Sequence, residues 1–545
     1  MASVDRRTFL RVAGAGAGAL VVASSLPAGA AAPGAPAYFR HGVASGDPLP
    51  DRVVLWTRVT PTAASLPGSG AGPQVTVQWQ VATDPGFRRV VARGVLSTGP
   101  AVDHTVKVDA AGLAPATTYW YRFVLDGVPS PTGRTRTAPA RTAAVSRLRL
   151  GVVSCANYEG GFFSPYRHLA ARDDLDAVLH LGDYLYEYGT GEYGPGPAIG
   201  RSHVPAHEMV TLADYRQRHA LYKTDADLQA LHASVAFIVT WDDHETTNDA
   251  WAGGAENHTP STEGAYDVRK AAARRAYDEW MPLRTPGGTQ LHRRLQFGRL
   301  ADLTLLDLRQ YRSQQVDAAT AGRVDDPART ITGRAQMDFL KAGLVDSTAR
   351  WKLVGNPVMI SPVLFPPLPA TVSRPLSDVT GLLPPEGVPY NYDQWDGYTA
   401  DRRELLSHLR DRRVQDTVFL TGDIHSAWAC DVPLDAGTYP VSPSVATELV
   451  CTSVTSDNLN DILGAPPRTA SLAVEAGLRG ANRHVQHLEF DSHGYSVLDV
   501  RPDRVQMDWY AVSERTDPAA TARFAAGFAV ASGSQRVTPT STPVR

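Results

Sequence analysis

The sequence predicts an α/β protein fronted by a small all-β domain, and three observations predict it. Four short apolar runs in the larger, C-terminal part show little alternation, so they read as strands buried on both faces of a sheet. Segments of helical periodicity lie between such runs, the order expected of βαβ units. Ahead of them, residues 38–140 carry short strand-like runs separated by Gly, Pro and Asp turns, the pattern of a β-sandwich of immunoglobulin or fibronectin type. At 545 residues the chain also exceeds the size at which one core stops growing, so two or more domains are expected.

The elements follow in order. In residues 1–32, Arg6-Arg7 precede a weakly apolar run from Val12 to Leu26, and Ala28-Gly29-Ala30 supplies small residues for cleavage. Together these resemble a twin-arginine export signal. The run is too short and too Gly-interrupted for a spanning anchor, and no other stretch approaches transmembrane length. The chain is therefore expected outside the cell or at its wall, with the twin-arginine machinery as an export partner. Such a route carries folded proteins, which suits a cofactor loaded before export. Val53–Val59, Gln74–Ala82, Arg89–Leu96, His104–Val108 and Thr118–Leu125 are the predicted strands of the first domain, and Thr132–Ala144 is a linker. Residues 147–520 form the predicted second domain, with helices at Leu212–Leu221, Ala265–Trp280, Gly333–Ser347 and Thr399–Asp411. Arg299–Asp307 and Trp351–Asn356 read as further core strands. The stretch from Pro362 to Pro389 is long enough to shape a cleft wall or lid. Strand-like runs return at Glu448–Val454, His487–Phe490, Tyr495–Val500 and Gln506–Val512. Residues 521–545 read as an Ala/Gly/Thr-rich tail, partly helical at most.

The four buried runs share one feature: each ends in side chains that bind metals. Leu148–Val153 leads into Cys155 and Asn157; Ala177–Leu181 into Asp183, Tyr186 and Glu187; Val235–Val239 into Asp242, Asp243, His244 and Glu245; Val418–Leu420 into Asp423 and His425. Groups at the carboxyl ends of several such strands converge on one rim of a sheet, where α/β proteins place their sites. A carboxylate such as Asp183 bridges two cations, and a phenolate such as Tyr186 is a hard anion suited to a trivalent ion. Of adjacent Asp242 and Asp243, which point to opposite sides, only one is a direct ligand and the other orients a partner. Asp423 and His425, at alternate positions of an extended chain, point the same way. Singly each motif is weak; four in series read as a polynuclear centre.

Three cysteines are an odd count for an exported chain. Cys430 and Cys451 both lie near the fourth cluster and could form one disulfide, which leaves Cys155 as either a buried inert thiol or a ligand. Its place beside the other clusters favours the ligand. The net charge of −3 suggests neither a polybasic membrane anchor nor a nucleic-acid-binding surface. Signatures of serine hydrolases, P-loops and dinucleotide folds are absent from suitable contexts.

Together, Phe39–Pro48, Val54–Arg58, Ser154-Cys155, His180–Glu187, Trp241–Glu245 and Gly422-Asp423-Ile424-His425 resemble the metallophosphoesterases, and among them the PhoD-like alkaline phosphatases, over nearly the whole mature chain. The resemblance implies a four-layer αββα sandwich containing Fe³⁺ and one or two Ca²⁺. It places Cys155, Asp183, Tyr186 and His425 around the iron, with Asp183 bridging, and Asp243 and Asp423 on an all-oxygen calcium side. It gives His244 the place of a general acid or transition-state stabiliser, while Asn157 and Asp242 support. The implied reaction is phosphate-ester hydrolysis with release of inorganic phosphate, by in-line attack of a metal-activated water or oxo group. Relatives of this kind include phosphodiesterases and phospholipase D enzymes, so diesters of lipids or teichoic acids are the alternative substrates. A secreted β-sandwich protein whose second domain has lost activity is the remaining alternative; it conflicts with every expected ligand position being filled.

Overall fold

The computed structural model describes residues 38–544 apart from 286, 287, 289, 318, 366, 368, 381–383 and 385. The predicted export signal at 1–32 lies outside the described residues.

Two sheets pack face to face. The first has ten strands, in spatial order Val537–Pro539, Ala522–Ala531, Arg504–Val512, Gly494–Val500, Leu148–Val153, Ala177–His180, Phe237–Val239, Val43–Gly46, Arg52–Arg58 and Thr105–Ala111. The second has seven: Arg293–Phe297, Ala301–Leu305, Trp351–Asn356, Thr417–Thr421, Ser444–Val450, Ala427–Pro433 and Val485–Glu489. At the centre of each sheet the strands are parallel, as the continuous apolar runs require of strands covered on both faces.

The period of two divides each run between two cores. Leu150, Val152, Leu179, Leu303, Leu353 and Leu420 point between the sheets. Val153, Val178, Phe237 and Val239 point outward, beneath helices Ser164–Ala170, Leu212–Tyr222, Ala226–Ser234 and Tyr266–Trp280. On the other side, Val354, Phe419 and Ala446 lie beneath helices Arg334–Asp346 and Thr399–Asp411. This is the αββα arrangement, and the chain matches the expected fold class.

The N-terminal sandwich is also present, and one of its layers is shared. A five-stranded sheet built on Val75–Ala82, Val90–Thr98 and Thr118–Leu125 packs its Val77, Val81, Tyr121 and Phe123 against Val43, Val53, Leu55 and Val106. The strands carrying the latter four are the far end of the ten-stranded sheet. Buried contacts weld the two parts: Arg293 donates to both oxygens of Asp47 at 2.8 and 2.7 Å, and Trp56 Nε1 donates to the Glu279 carbonyl at 2.8 Å.

Two expectations are corrected. Cys430 and Cys451 are both free. On paired strands Cys430 lies opposite Glu448, and Cys451 lies three residues beyond it. Cys451 points into the core between the sheets, whereas Cys430 points to the outer side with Trp428 and Phe490. Side chains on opposite faces of a sheet cannot form a disulfide without backbone movement.

The residues after Ala519 are not a partly helical tail. Ala522–Ala531 and Val537–Pro539 are the last two strands of the large sheet, paired in antiparallel register with Arg504–Val512 and with each other. Ala and Gly hide the strand pattern because their β-propensity is low, and pairing overrides it. The closing residues are tied to both sheets: the Val537 amide donates to Asp431 Oδ1 of the second sheet at 2.8 Å, and the Val544 amide to Asp508 Oδ2 of the first at 2.6 Å. Phe528, Val530, Val537 and Val544 are buried, worth about 6–12 kcal/mol at roughly 1.5–3 kcal/mol each. That approaches the whole margin of a typical fold, about 5–15 kcal/mol. Deletion of residues 521–545 should therefore leave a chain that unfolds without a cooperative transition, measured by thermal circular dichroism. A truncated chain melting cooperatively within a few degrees of the full protein would contradict this assignment.

Candidate metal centre

All four metal-liking clusters meet at the carboxyl ends of the parallel strands, where the loops leave both sheets. The turns are sharp. Cys155, Asp183, Asp423 and His425 take left-handed backbone angles, with φ of 59, 51, 65 and 49°. Non-glycine residues in this region cost of order 1–3 kcal/mol each, and such strain collects at functional sites. Gly182 has φ 107°, and a Cβ there would lie 2.5 Å from the Asp242 Cβ and 2.7 Å from its backbone nitrogen. Only glycine lets the loop carrying Asp183 run this close to the one carrying Asp243.

Three overlapping groups of donors result. Cys155, Asp183 and His425 offer atoms within 4.8 Å of one another; so do Asp183, Asp243 and His244, and so do Asp183, Asp242, Asp243 and Asp423. Asp183 belongs to all three. The Tyr186 hydroxyl joins the first group, donating to Asp183 Oδ2 at 3.1 Å and lying 3.3 Å from His425 Nε2. His425 Nδ1 donates to the Asp457 carbonyl at 2.8 Å, which turns Nε2 toward the cluster as the unprotonated nitrogen. The seven residues singled out from the sequence are thus brought together in one buried place.

The residues fit cations. Asp183 Oδ1, Asp243 Oδ1 and Asp423 Oδ2 are buried and accept no hydrogen bond from any described residue. A buried carboxylate oxygen left unpaired is costly, and metal coordination is one of the few ways to satisfy it. The electrostatics point the same way. Burial pushes the Asp183 carboxyl well above its ordinary range and Asp423 up to about 7. Burial likewise pushes the Cys155 thiol up, and the nearby Asp183 carboxylate adds to it. Each group would ionise fully only against positive charge, and ionised ligands are what a metal binds. Asp243 differs: burial opposes its charge, but Arg309 and His244 outweigh that and hold it low.

The surrounding groups fix these side chains. Glu187, in the same motif as Asp183, takes a 2.7 Å hydrogen bond from His244 Nδ1 and another of 2.7 Å from the Asn248 amide. Burial alone would lower the His244 pKa, yet Glu187, Asp243 and Asp183 raise it well above the usual histidine value. The His244 ring stacks on Tyr186 with centroids 4.1 Å apart. Glu245 accepts from the backbone amides of Asp183, Tyr184 and Asp242 at 3.1, 2.5 and 2.7 Å, clamping two of the loops together. The Asp249 amide donates to Asp243 Oδ2 at 2.6 Å.

Asp242 belongs to the third donor group and is also the main partner of Arg309. Both its oxygens accept from Arg309, through Nε and Nη2. Asn157 supports from further off: its Nδ2 donates to the Tyr193 carbonyl at 2.7 Å, and its Oδ1 accepts from the Glu159 amide at 3.0 Å.

The group that sequence reasoning missed is Arg309. Its guanidinium is buried among four carboxylates: bidentate on Asp242, 2.8 Å from Asp393, 3.5 Å from Asp243 and 3.6 Å from Asp423. Arg312 donates to Asp393 Oδ1 at 2.6 Å. The signal was present in Asp307-Leu308-Arg309-Gln310-Tyr311-Arg312, two arginines three apart directly after the buried run Ala301–Leu305. It resembles the other four strand ends except that its charge is positive.

Comparison with known proteins places this geometry in a family. Residues 150–509 match the family model described as PhoD-like phosphatase, and residues 24–139 match that of the PhoD-like phosphatase N-terminal domain. The chain is 38% identical to alkaline phosphatase D of Bacillus subtilis (strain 168) over 540 residues, covering 96% of this chain and 87% of the relative. It superposes on a solved structure described as "Structure of PhoD" with a TM-score of 0.81 at 34% identity, covering 93% of each chain. The chain therefore belongs to the PhoD-like phosphatase family and is a phosphoric ester hydrolase.

Proposed function

We propose that the protein is an exported, metal-dependent alkaline phosphatase that releases inorganic phosphate from phosphate esters outside the cell. The observation that carries the metal dependence is the set of three carboxylate oxygens, on Asp183, Asp243 and Asp423, that are buried within one cluster and accept no hydrogen bond from a described residue. Cys155, Asp183, Tyr186 and His425 would hold Fe³⁺, a donor set of one soft sulfur, one imidazole and two hard oxygen anions. Asp243 and Asp423, with Asp183 shared, would hold Ca²⁺ on the all-oxygen side. When bound, the cations would neutralise phosphoryl charge and lower the pKa of a water in the site.

The chain's own residues carry the remaining steps. Asp183 ties the two halves of the centre together. His244, kept protonated by the Glu187 carboxylate, presents Nε2–H toward the cluster, where it would hydrogen-bond a phosphoryl oxygen or supply a proton to the leaving oxygen. Glu187 is a positioning residue: it fixes the ring's orientation and its charge. Arg309 favours the ionised forms of Asp242 and Asp243 against their burial and places permanent positive charge on the oxygen-rich side. Burial of the whole cluster limits competing water and strengthens every electrostatic contact in it. Export by the twin-arginine route rests on Arg6-Arg7 and the small-residue segment that follows.

Purified protein should contain iron and calcium by elemental analysis, and exhaustive chelation should abolish hydrolysis of a phosphate monoester until both are restored. Full turnover by metal-free protein would overturn the reading. Asp183→Asn should remove both metals and activity together. Cys155→Ala should lower iron while leaving calcium near its original content; equal loss of both would contradict the two-sided assignment. Glu187→Gln should keep both metals but reduce kcat by about 10²-fold or more, the usual scale for losing acid–base assistance, with KM little changed.

A further inference from the structure

A cleft lined by basic residues lies at the opposite end of the central strands from the metal centre. The strands Trp351–Asn356 and Thr417–Thr421 run from it toward the centre, a separation of roughly 15–20 Å at about 3.3 Å per residue. At their starts, the turn at Arg299, the segment Ser347–Arg350 and the segment Arg412–Asp416 converge. The Arg350 amide donates to the Arg299 carbonyl at 2.9 Å, and the Lys352 amide to the Asp416 carbonyl at 2.9 Å, so the three segments are fixed against one another. Between them is a cleft of about 500 Å³.

Five cations line it: Arg299, Arg350, Lys352, Arg412 and Arg413. None of the five forms an ion pair with any described residue, whereas Arg309 and Arg312 at the metal centre are both paired. One carboxylate lines the cleft, and it is already engaged. Asp416 accepts from Ser532 Oγ at 2.9 Å and from the Gly533 amide at 2.6 Å, which directs it toward the edge of the large sheet. Arg412 and Arg413 follow the C-terminus of helix Thr399–Asp411, where cations favour the helix dipole. That accounts for two of the five and not for Arg299, Arg350 or Lys352, which come from other elements. The net charge of −3 averages over this concentration.

We propose that this cleft binds an oligophosphate, an anion carrying several linked phosphates, as a site separate from the catalytic centre. Arginine's planar fork matches phosphate oxygens, and four of the five cations are arginines. Cations without a carboxylate partner, carried on backbone segments held around one concavity, focus field into it and raise local anion concentration. Bound there, a long phosphate-bearing chain is tethered to the enzyme and its other segments gain effective concentration at the catalytic rim.

The test is equilibrium binding of sodium tripolyphosphate to full-length holoenzyme, with the catalytic centre saturated by inorganic phosphate. Three proteins are compared: wild type, Arg350→Glu/Arg412→Glu, and Arg89→Glu/Arg93→Glu as a control with the same change in charge on exposed residues of the N-terminal sandwich. Hydrolysis of a small monoester should be equal in all three, which checks folding; if the cleft variant fails to fold, Lys352→Gln/Arg413→Gln takes its place. The cleft variant should bind tripolyphosphate about tenfold more weakly or worse, the scale of losing a charge-assisted hydrogen bond, and the control should match wild type. Equal binding by wild type and the cleft variant overturns the proposal. Equal weakening in the control also overturns it, because the effect is then the charge of the whole protein and not the cleft.

Discussion

The structure depends on one constraint: negative charge gathered at a single buried point. Asp183, Asp242, Asp243 and Asp423 offer oxygens within 4.8 Å of one another, and like charges this close in a low-dielectric interior repel strongly. Arg309 answers part of that charge and His244 another part. The three oxygens that accept no hydrogen bond and the raised pKa values of Asp183 and Asp423 mark what is left for cations to answer. Without cations these carboxyls would be protonated or unpaired at the heart of the molecule, so metal binding of the kind proposed would be coupled to local order at these loops.

The fold serves that point in two ways. Parallel strands in both sheets release their chains at the same rim, so several loops can contribute to one cavity. Extensive pairing behind the rim, from Thr105–Ala111 at one edge of the large sheet to Val537–Pro539 at the other, holds left-handed residues that would relax in a looser frame. Glu245 extends the same logic inward. A carboxylate buried without a cation is stabilised by three amide donors, and burial still pushes its pKa up to about 8. Its role is to hold two strand-end loops at a fixed distance.

The site was more legible in the sequence than its supports. Apolar runs ending in Asp, His, Tyr and Cys declare both a buried parallel strand and the residues at its end, and each of those residues falls in the cluster. Arg309 escaped because a metal-centred reading looks for anions and imidazoles, while neutralising a crowd of carboxylates equally demands a guanidinium. The pairing of Glu187 with His244 depends on a contact across 57 positions of sequence, which no local pattern encodes. The closing strands escaped for a different reason. Ala, Gly and Thr give no alternating signal, and their burial comes from Arg504–Val512 and Asp431, elements that only the folded chain brings near. The Cys430–Cys451 pairing failed on face, a property of register and not of proximity along the chain.

The central claim is that the chain holds an iron centre joined by sulfur to Cys155 and sharing Asp183 with a calcium side. Iron K-edge X-ray absorption of the purified protein tests it most directly. The account predicts one sulfur scatterer among lighter ligands in the native protein, replaced by an oxygen or nitrogen shell in Cys155→Ser. A native spectrum with no sulfur neighbour, or one unchanged by that substitution, would contradict it.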